Sequence, residues 1–284
     1  MNTLPLYFSP CPNDTFCFHA MVFGLIDTEG LSFEPLLEDV EQLNQRVFTG
    51  NPEICKISYH LFPKVADRYR MLPCGSALGY GNGPLFVSKT AHLPITQETR
   101  IAIPGVHTTA AFLLKFAYPQ VINTSAVPFS DITNAILRNE YDAGVLIHEG
   151  RFVYEQQGLH LIADLGMCWE ERTGLPIPLG GIAVSRTLSD KVQQKIARIL
   201  YRSIQHALAH PSDSWEYVQN HARELDSKVI RKHIELFVND DTLDIGTKGR
   251  LAVKTLFDAV HPPQYGTDFD VEELSCTFVV STVE

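Results

Sequence analysis

The chain has no run approaching the roughly 18 consecutive apolar residues of a membrane span, which excludes a membrane-crossing helix. It has no CxxC pair. Its six cysteines, at positions 11, 17, 55, 74, 168 and 276, show no even ladder of spacings, so neither a zinc ribbon nor a disulfide framework is indicated, and reduced, mostly buried thiols are expected. Basic residues are in deficit: 23 Lys and Arg stand against 33 Asp and Glu, for a net charge of −10. Nucleic acids and anionic membranes are held by clustered Lys and Arg, so neither is an expected partner, whereas a small anionic ligand needs only a local site. The amino terminus lacks a basic n-region, and Pro5 breaks its short apolar run, which points to a cytoplasmic protein. Internal repeats, low-complexity tracts, a P-loop, a GxSxG elbow and an EF-hand loop are all missing.

What is there is ordinary globular material: 284 residues, 45% hydrophobic and 20% charged, enough for one large or two modest domains with a substantial core. Strand-like and helix-like segments alternate from the start, at Leu4–Phe8, Thr15–Phe23, Leu31–Glu34, Val40–Phe48, Ile54–Ile57 and His60–Ala66. Such alternation argues for α/β layers around a mostly parallel sheet, whose ligands bind at the carboxyl ends of the strands. A second unit follows, with Arg100–Ile103 and Ala143–Ile147 as strands and Thr108–Tyr118 and Ser130–Arg138 as helices. Helix-period apolar positions fill Asp190–His210, Ser214–Asn220, Ser227–Val238 and Thr247–Ala259. Two apolar segments flanked by Gly or Pro, Pro84–Ser88 and Gly180–Ser185, are the expected crossings between units, which gives a first unit of residues 1–88 plus 183–284 and a second of residues 89–182.

Four places carry candidate chemistry. The turn from Ser9 through Thr15 follows a strand and opens a helix, so the helix's first N–H groups face whatever lies beyond the strand; Asn13, Asp14 and Thr15 are all capable N-caps, and a ligand contact at Asn13 is weighed against plain capping. Lys56, Ile57 and Ser58 end another strand, where Ser58 is either a donor to a ligand oxygen or a routine turn residue. Thr108, Thr109 and Ala110 begin a helix after Pro104 and Gly105, so hydroxyl and backbone donors converge there, on an anion or simply as a double-threonine cap. His148 stands where the apolar strand Gly144–Ile147 emerges; an imidazole there serves as general base or as a surface cap. His206 and His210 have the spacing of a helical metal pair without a third ligand, and read as solvated helix residues. Gly79, Gly81 and Gly83 lack GxGxxG spacing and form a loop able to bend close to a ligand.

Taken together, SPCPNDTF at 9–16, KISYH at 56–60, the glycine-rich stretch 75–85, PGVHTTA at 104–110 and GVLIHEGR at 144–151 resemble the 1,4-dihydroxy-6-naphthoate synthases of the futalosine route to menaquinone, in order and spacing. The resemblance spans roughly the first two-thirds of the chain. It implies the two-lobed periplasmic-binding-protein-like fold of the second type, with ligand in a cleft between lobes. It also implies a lyase acting on cyclic dehypoxanthine futalosine, with His148 as proton acceptor, substrate held by the Lys56–Ser58 and Thr109–Ala110 segments, and neither metal nor organic cofactor. Two rivals share the scaffold: the chorismate dehydratase of the same pathway, against which the LIHEGR histidine speaks, and a non-catalytic small-anion binding protein, which would normally carry a secretion signal. The sequence sets no oligomeric state.

Overall fold

The structure, a computed structural model, describes residues 3–222, 226–260 and 278–279; Cys276 and most of the chain beyond residue 260 lie outside them. Leu4, Leu6 and Phe8 alternate with less buried neighbours and make Thr3–Phe8 a strand (β1), after which Pro12 presets the first turn of Pro12–Val22 (α1). Next come Ser32–Leu37 (β2), Val40–Thr49 (α2), Ile54–Ser58 (β3), Tyr69–Met71 (β4) and Ala77–Gly79 (β5). The middle of the chain supplies Leu85–Ser88 (β6), Ile101–Ile103 (β7), Thr109–Ala117 (α3), Thr124–Ala126 (β8), Ile132–Leu137 (α4), Ala143–Leu146 (β9), His160–Asp164 (β10) and Leu165–Thr173 (α5). Ile177–Ser185 (β11) is followed by helices Asp190–Ala209 (α6), Trp215–His221 (α7), Ser227–Phe237 (α8), Asp240–Leu243 (α9) and Gly246–Val260 (α10). His60–Ala66, expected as a helix, holds only a short 3₁₀ turn at Phe62–Lys64.

There are two sheets: one of six strands ordered β2-β1-β3-β11-β4, with β5 also on β11, and one of five ordered β10-β6-β9-β7-β8. Both are mixed rather than mostly parallel. Strand β1 runs parallel to β2 and β3, but β11 is antiparallel to β3, β4 and β5; β7 is parallel to β8 and β9, but β6 is antiparallel to β9 and β10. The antiparallel strands β6 and β11 are those the chain enters on passing from one sheet to the other, where no helical crossover returns it in parallel. Residues 80–84 carry the chain into the second sheet and residues 174–176 carry it back. Leu85–Ser88 and Gly180–Ser185 are therefore ladder strands, and we propose that the lobes divide just before each of β6 and β11. Among the described residues no helix is long and apolar enough to cross a membrane.

Packing fixes the elements that later form the cleft. Every residue of β3 is buried, as expected for a strand flanked by β1 and β11 and covered on its faces. On α6, Ile196, Ile199, Leu200 and Ile204 form a stripe at helical spacing against α1. The Ser203 hydroxyl donates to the Cys17 carbonyl at 2.6 Å and accepts from the Met21 N–H at 3.1 Å, so α1 cannot slide on α6. Helix α8 lies against α1 and against the 3₁₀ turn His148–Phe152 of the other lobe. In the second lobe Trp169 is fully buried, with Nε1 donating to the Pro176 carbonyl at 3.2 Å.

Near the outgoing crossing, Asp164 caps α5: its Oδ1 accepts from the N–H groups of Gly166 at 2.9 Å, Met167 at 3.2 Å and Gly83 at 3.2 Å. Its Oδ2 meets Arg151 Nη2 at 3.1 Å, and Arg151 Nη1 donates to the Gly83 carbonyl at 2.7 Å. This approach is backbone on backbone, so a Cβ on Gly166 would overlap the Gly83 nitrogen and Cα. Gly166→Ala is accordingly expected to destabilise the fold by about 1–3 kcal/mol, the usual cost of overpacking, read as a lower urea midpoint with unchanged slope. An unshifted midpoint would show that the crossing yields freely at this point.

Candidate active site

A cleft of about 770 Å³ opens where the carboxyl ends of β1, β3 and β9 meet the start of α3 and the inner face of α8. The turn after β1 supplies Ser9, Asn13 and Asp14 to its wall. Helix α1 is capped at Cys11, in extended conformation and without a side-chain cap bond, so Asn13 and Asp14 are not its caps. Both are used sideways. Asp14 Oδ1 accepts from Lys56 Nζ at 2.7 Å and Asn13 Nδ2 at 2.9 Å, while Oδ2 accepts from Ser9 Oγ at 2.7 Å and the Ser9 N–H at 3.3 Å. Lys56 would be intolerable in a fully buried strand without such a partner; paired, it brings an ammonium to the cleft wall.

Ser58, at the end of β3, is held by Asn44 of α2. Asn44 Oδ1 accepts from the Ser58 N–H at 2.9 Å and Nδ2 donates to Ser58 Oγ at 3.0 Å, which leaves the hydroxyl hydrogen available to the cleft. Across from it, Thr108 caps α3 by accepting from the Ala111 N–H at 3.2 Å, so the N–H groups of Thr109 and Ala110 remain as the first donors of the helix, without an intrahelical carbonyl to reach. The Thr109 hydroxyl is engaged elsewhere: it donates to the Leu179 carbonyl of β11 at 2.9 Å and accepts from the His60 N–H at 3.4 Å, tying the two lobes together. Ile57 does not line the cleft. Its side chain is fully buried in the core, on the opposite face of β3 from its neighbours Lys56 and Ser58.

His148 lines the cleft immediately after β9, with φ of +56°, a left-handed backbone that is uncommon outside glycine, though Asn, Asp and His adopt it more often than other residues. Its Nδ1 lies 3.2 Å from Cys11 Sγ of the first lobe, its ring meets Phe129 edge-on at 4.8 Å, and the His233 ring lies 6.2 Å away. Arg151 does not orient His148, since its guanidinium is committed to Asp164 and Gly83. His206 bonds Asp213 at 3.0 Å and packs on His210, away from the cleft.

Two residues that shape the site escaped the sequence reading: His233, which lines the cleft, and Asn44, which holds Ser58. Asn44 lies beside Leu43 and Val47 on the buried face of α2, and His233 lies between Ile230 and Phe237 on that of α8. The available signal was a polar residue interrupting an apolar stripe. His233 Nε2 is 2.9 Å from Asn13 Oδ1. Burial holds its pKa well below the usual imidazole value, assisted by the positive charges of His148, Lys56 and Arg151. Depressing the folded-state pKa of a base means that the unfolded chain binds the proton first. Its contribution to stability is thus complete above about 6.5 and declines as pH falls below that value, with the more weakly shifted His19 and His107 acting in the same direction. Urea midpoints measured on both sides of pH ~6.5 should fall on the acid side for the wild type, and fall less for His233→Asn. Equal falls in the two proteins would mean that His233 is not held neutral.

Residues 5–262 match the protein family described as menaquinone biosynthesis. A 1,4-dihydroxy-6-naphthoate synthase of Thermus thermophilus is 44% identical over 257 residues, covering 90% of this chain and 93% of its own. A crystal structure of an Archaeoglobus fulgidus protein superposes with a TM-score of 0.87 at 35% identity, over 93% of this chain and 98% of that one. A Candida albicans protein described as having the generic periplasmic-binding-protein fold superposes with a TM-score of 0.68 at 12% identity, over 99% and 97% of the two chains, which establishes a shared two-lobed architecture.

Proposed function

Because the chain belongs to the menaquinone-biosynthesis family, we propose that it is a cytoplasmic lyase that converts cyclic dehypoxanthine futalosine to 1,4-dihydroxy-6-naphthoate, with His148 taking the proton that starts the fragmentation. The observation that carries this reading is the meeting, in one cleft, of an imidazole with a set of anion donors contributed by both lobes. The substrate's carboxylate is received by the Ser58 hydroxyl and the Thr109 and Ala110 N–H groups, with the Lys56 ammonium on the same wall. A charge-assisted bond of this kind contributes roughly 1.5–3 kcal/mol. With that end fixed, the sugar-derived portion is presented to His148, whose ring is steadied by Cys11 and Phe129. Imidazole is suited to the task because its ordinary titration lies near neutral pH. One hydrogen-bonded bridge between the lobes stands beside this donor set on the cleft wall.

 That bridge is the Thr109 hydroxyl, set between the Leu179 carbonyl and the His60 N–H.

The direct test is to incubate the purified protein with cyclic dehypoxanthine futalosine and follow the naphthoate chromophore. Binding without product would turn the reading toward a small-anion binding protein. His148→Asn is expected to lower kcat by about 10²–10⁴-fold while substrate affinity and the folded circular-dichroism spectrum persist, since an amide keeps polarity but takes no proton near neutral pH. Ser58→Ala should instead raise KM, by a factor equivalent to roughly 1–3 kcal/mol. A His148→Asn variant with near wild-type kcat would remove His148 from the mechanism.

A further inference from the structure

The proton-abstraction scheme leaves one feature of the cleft unused, a pair of buried hydrogen-bond acceptors without donors. His233 is 1% exposed, and among the described residues its Nδ1 has no hydrogen-bond partner; Asn82 is 5% exposed, and its Oδ1 is in the same position. Both residues line the cleft, and α8, which carries His233, packs against β5, just before the segment that carries Asn82.

The proton on His233 can be located from its neighbours. Asp14 is a carboxylate whose oxygens accept, so Asn13 turns its amide nitrogen to Asp14 Oδ1 at 2.9 Å and its Oδ1 to His233 Nε2, also at 2.9 Å. An amide oxygen accepts in turn, so His233 carries its proton on Nε2 and bears a lone pair on Nδ1. Burial beside His148, Lys56 and Arg151 keeps the ring neutral and the lone pair available. A buried acceptor without a donor is uncommon and destabilising, and one on a cleft wall is accounted for when the donor arrives with the ligand.

We propose that His233 Nδ1, together with Asn82 Oδ1, accepts hydrogen bonds from hydroxyl groups of the sugar-derived portion of the substrate. The cleft then has two ends of opposite hydrogen-bonding sense: donors from Ser58, Thr109 and Ala110 for a carboxylate, and acceptors for hydroxyls. Because the His233 and His148 rings are 6.2 Å apart, the hydroxyl held by His233 belongs to the part of the substrate from which the proton is taken. The identity of the substrate rests on the lyase reading above; the lone pair does not.

Two substitutions separate this role from a merely structural one. Asn places its carbonyl oxygen about where Nδ1 stands, whereas Gln places its amide nitrogen about where Nε2 stands. His233→Gln therefore keeps the bond to Asn13 and loses the acceptor, and is expected to lower kcat/KM by roughly ten- to hundred-fold. His233→Asn loses the bond to Asn13 and keeps the acceptor, and should be impaired less than His233→Gln. The reverse order would show that His233 only holds Asn13, and would overturn the assignment. Histidine ¹⁵N spectra of the folded protein give a readout that needs no variant at His233: Nδ1 should be unprotonated in the ligand-free protein, and should shift when cyclic dehypoxanthine futalosine saturates the His148→Asn protein. A proton found on Nδ1, or an unmoved resonance at saturation, would also overturn it. A wild type that yields no naphthoate defeats the lyase reading, whereas an active wild type beside an unimpaired His233→Gln defeats this assignment alone.

Discussion

The cleft depends on one buried carboxylate. Asp14 is almost wholly removed from water, and a charge so placed costs several kcal/mol unless it is paired and its remaining lone pairs are met. Here the pairing is complete: Lys56 and Asn13 meet one oxygen, and the Ser9 hydroxyl and N–H meet the other. These donors come from the turn after β1 and from the middle of β3, so the carboxylate fixes the exit of one strand against the side chain of the next. Its position in the first turn of α1 adds the favourable end of the helix dipole. Through Asn13 the same carboxylate reaches α8 and sets the proton on His233. Loss of Asp14 would leave a buried ammonium unpaired and release an amide whose orientation decides what a third element offers the ligand.

A common pattern runs around the walls. At several positions a polar group is bonded to a neighbour in such a way that one particular group is left for the cleft. Asn44 occupies the lone pair of Ser58 and leaves its hydrogen; the Thr108 cap satisfies the Ala111 N–H and leaves those of Thr109 and Ala110. His148 follows the same pattern at the backbone. A non-glycine residue held in the left-handed region costs of order 1–3 kcal/mol, and here β9 on one side and the 3₁₀ turn against α8 on the other hold it there.

Much of this was legible in the sequence wherever the information was local. The 3.6-residue periodicity located α6, α8 and α10 to within a residue or two, and the emergence of His148 from an apolar strand was read from Gly144–Ile147. Strand direction was not legible, because it follows from where the chain crosses between sheets rather than from any residue within β6 or β11. Strand β8 was missed because all of its residues are exposed and give no apolar pattern. The capping of α1 was left open in the sequence because Asn13 and Asp14 are good caps in isolation, and only the fold brings Lys56 and His233 close enough to compete for them. At Thr109 the sequence offered both hydroxyl and N–H as donors; the hydroxyl finds Leu179, a partner 70 residues away, which leaves the N–H at the start of α3.

The scaffold itself does not decide between binding and catalysis, since a chain sharing only 12% of its residues adopts the same architecture. The distribution of strain is more informative. A protein that only captures an anion gains nothing from a strained residue on its cleft wall, because donors at relaxed helix starts and strand ends suffice for that task. Among the described residues that line this cleft, the donor groups at Ser58, Thr109 and Ala110 are of the relaxed kind and His148 is the non-glycine residue with positive φ; Glu29, His92 and Asn139 share that backbone away from the cleft. On the lyase reading the division is functional. Contacts at the donor end act equally on substrate and transition state, and so set how much substrate is held. The imidazole end acts only as the proton leaves, so strain spent on aiming His148 returns as rate rather than affinity.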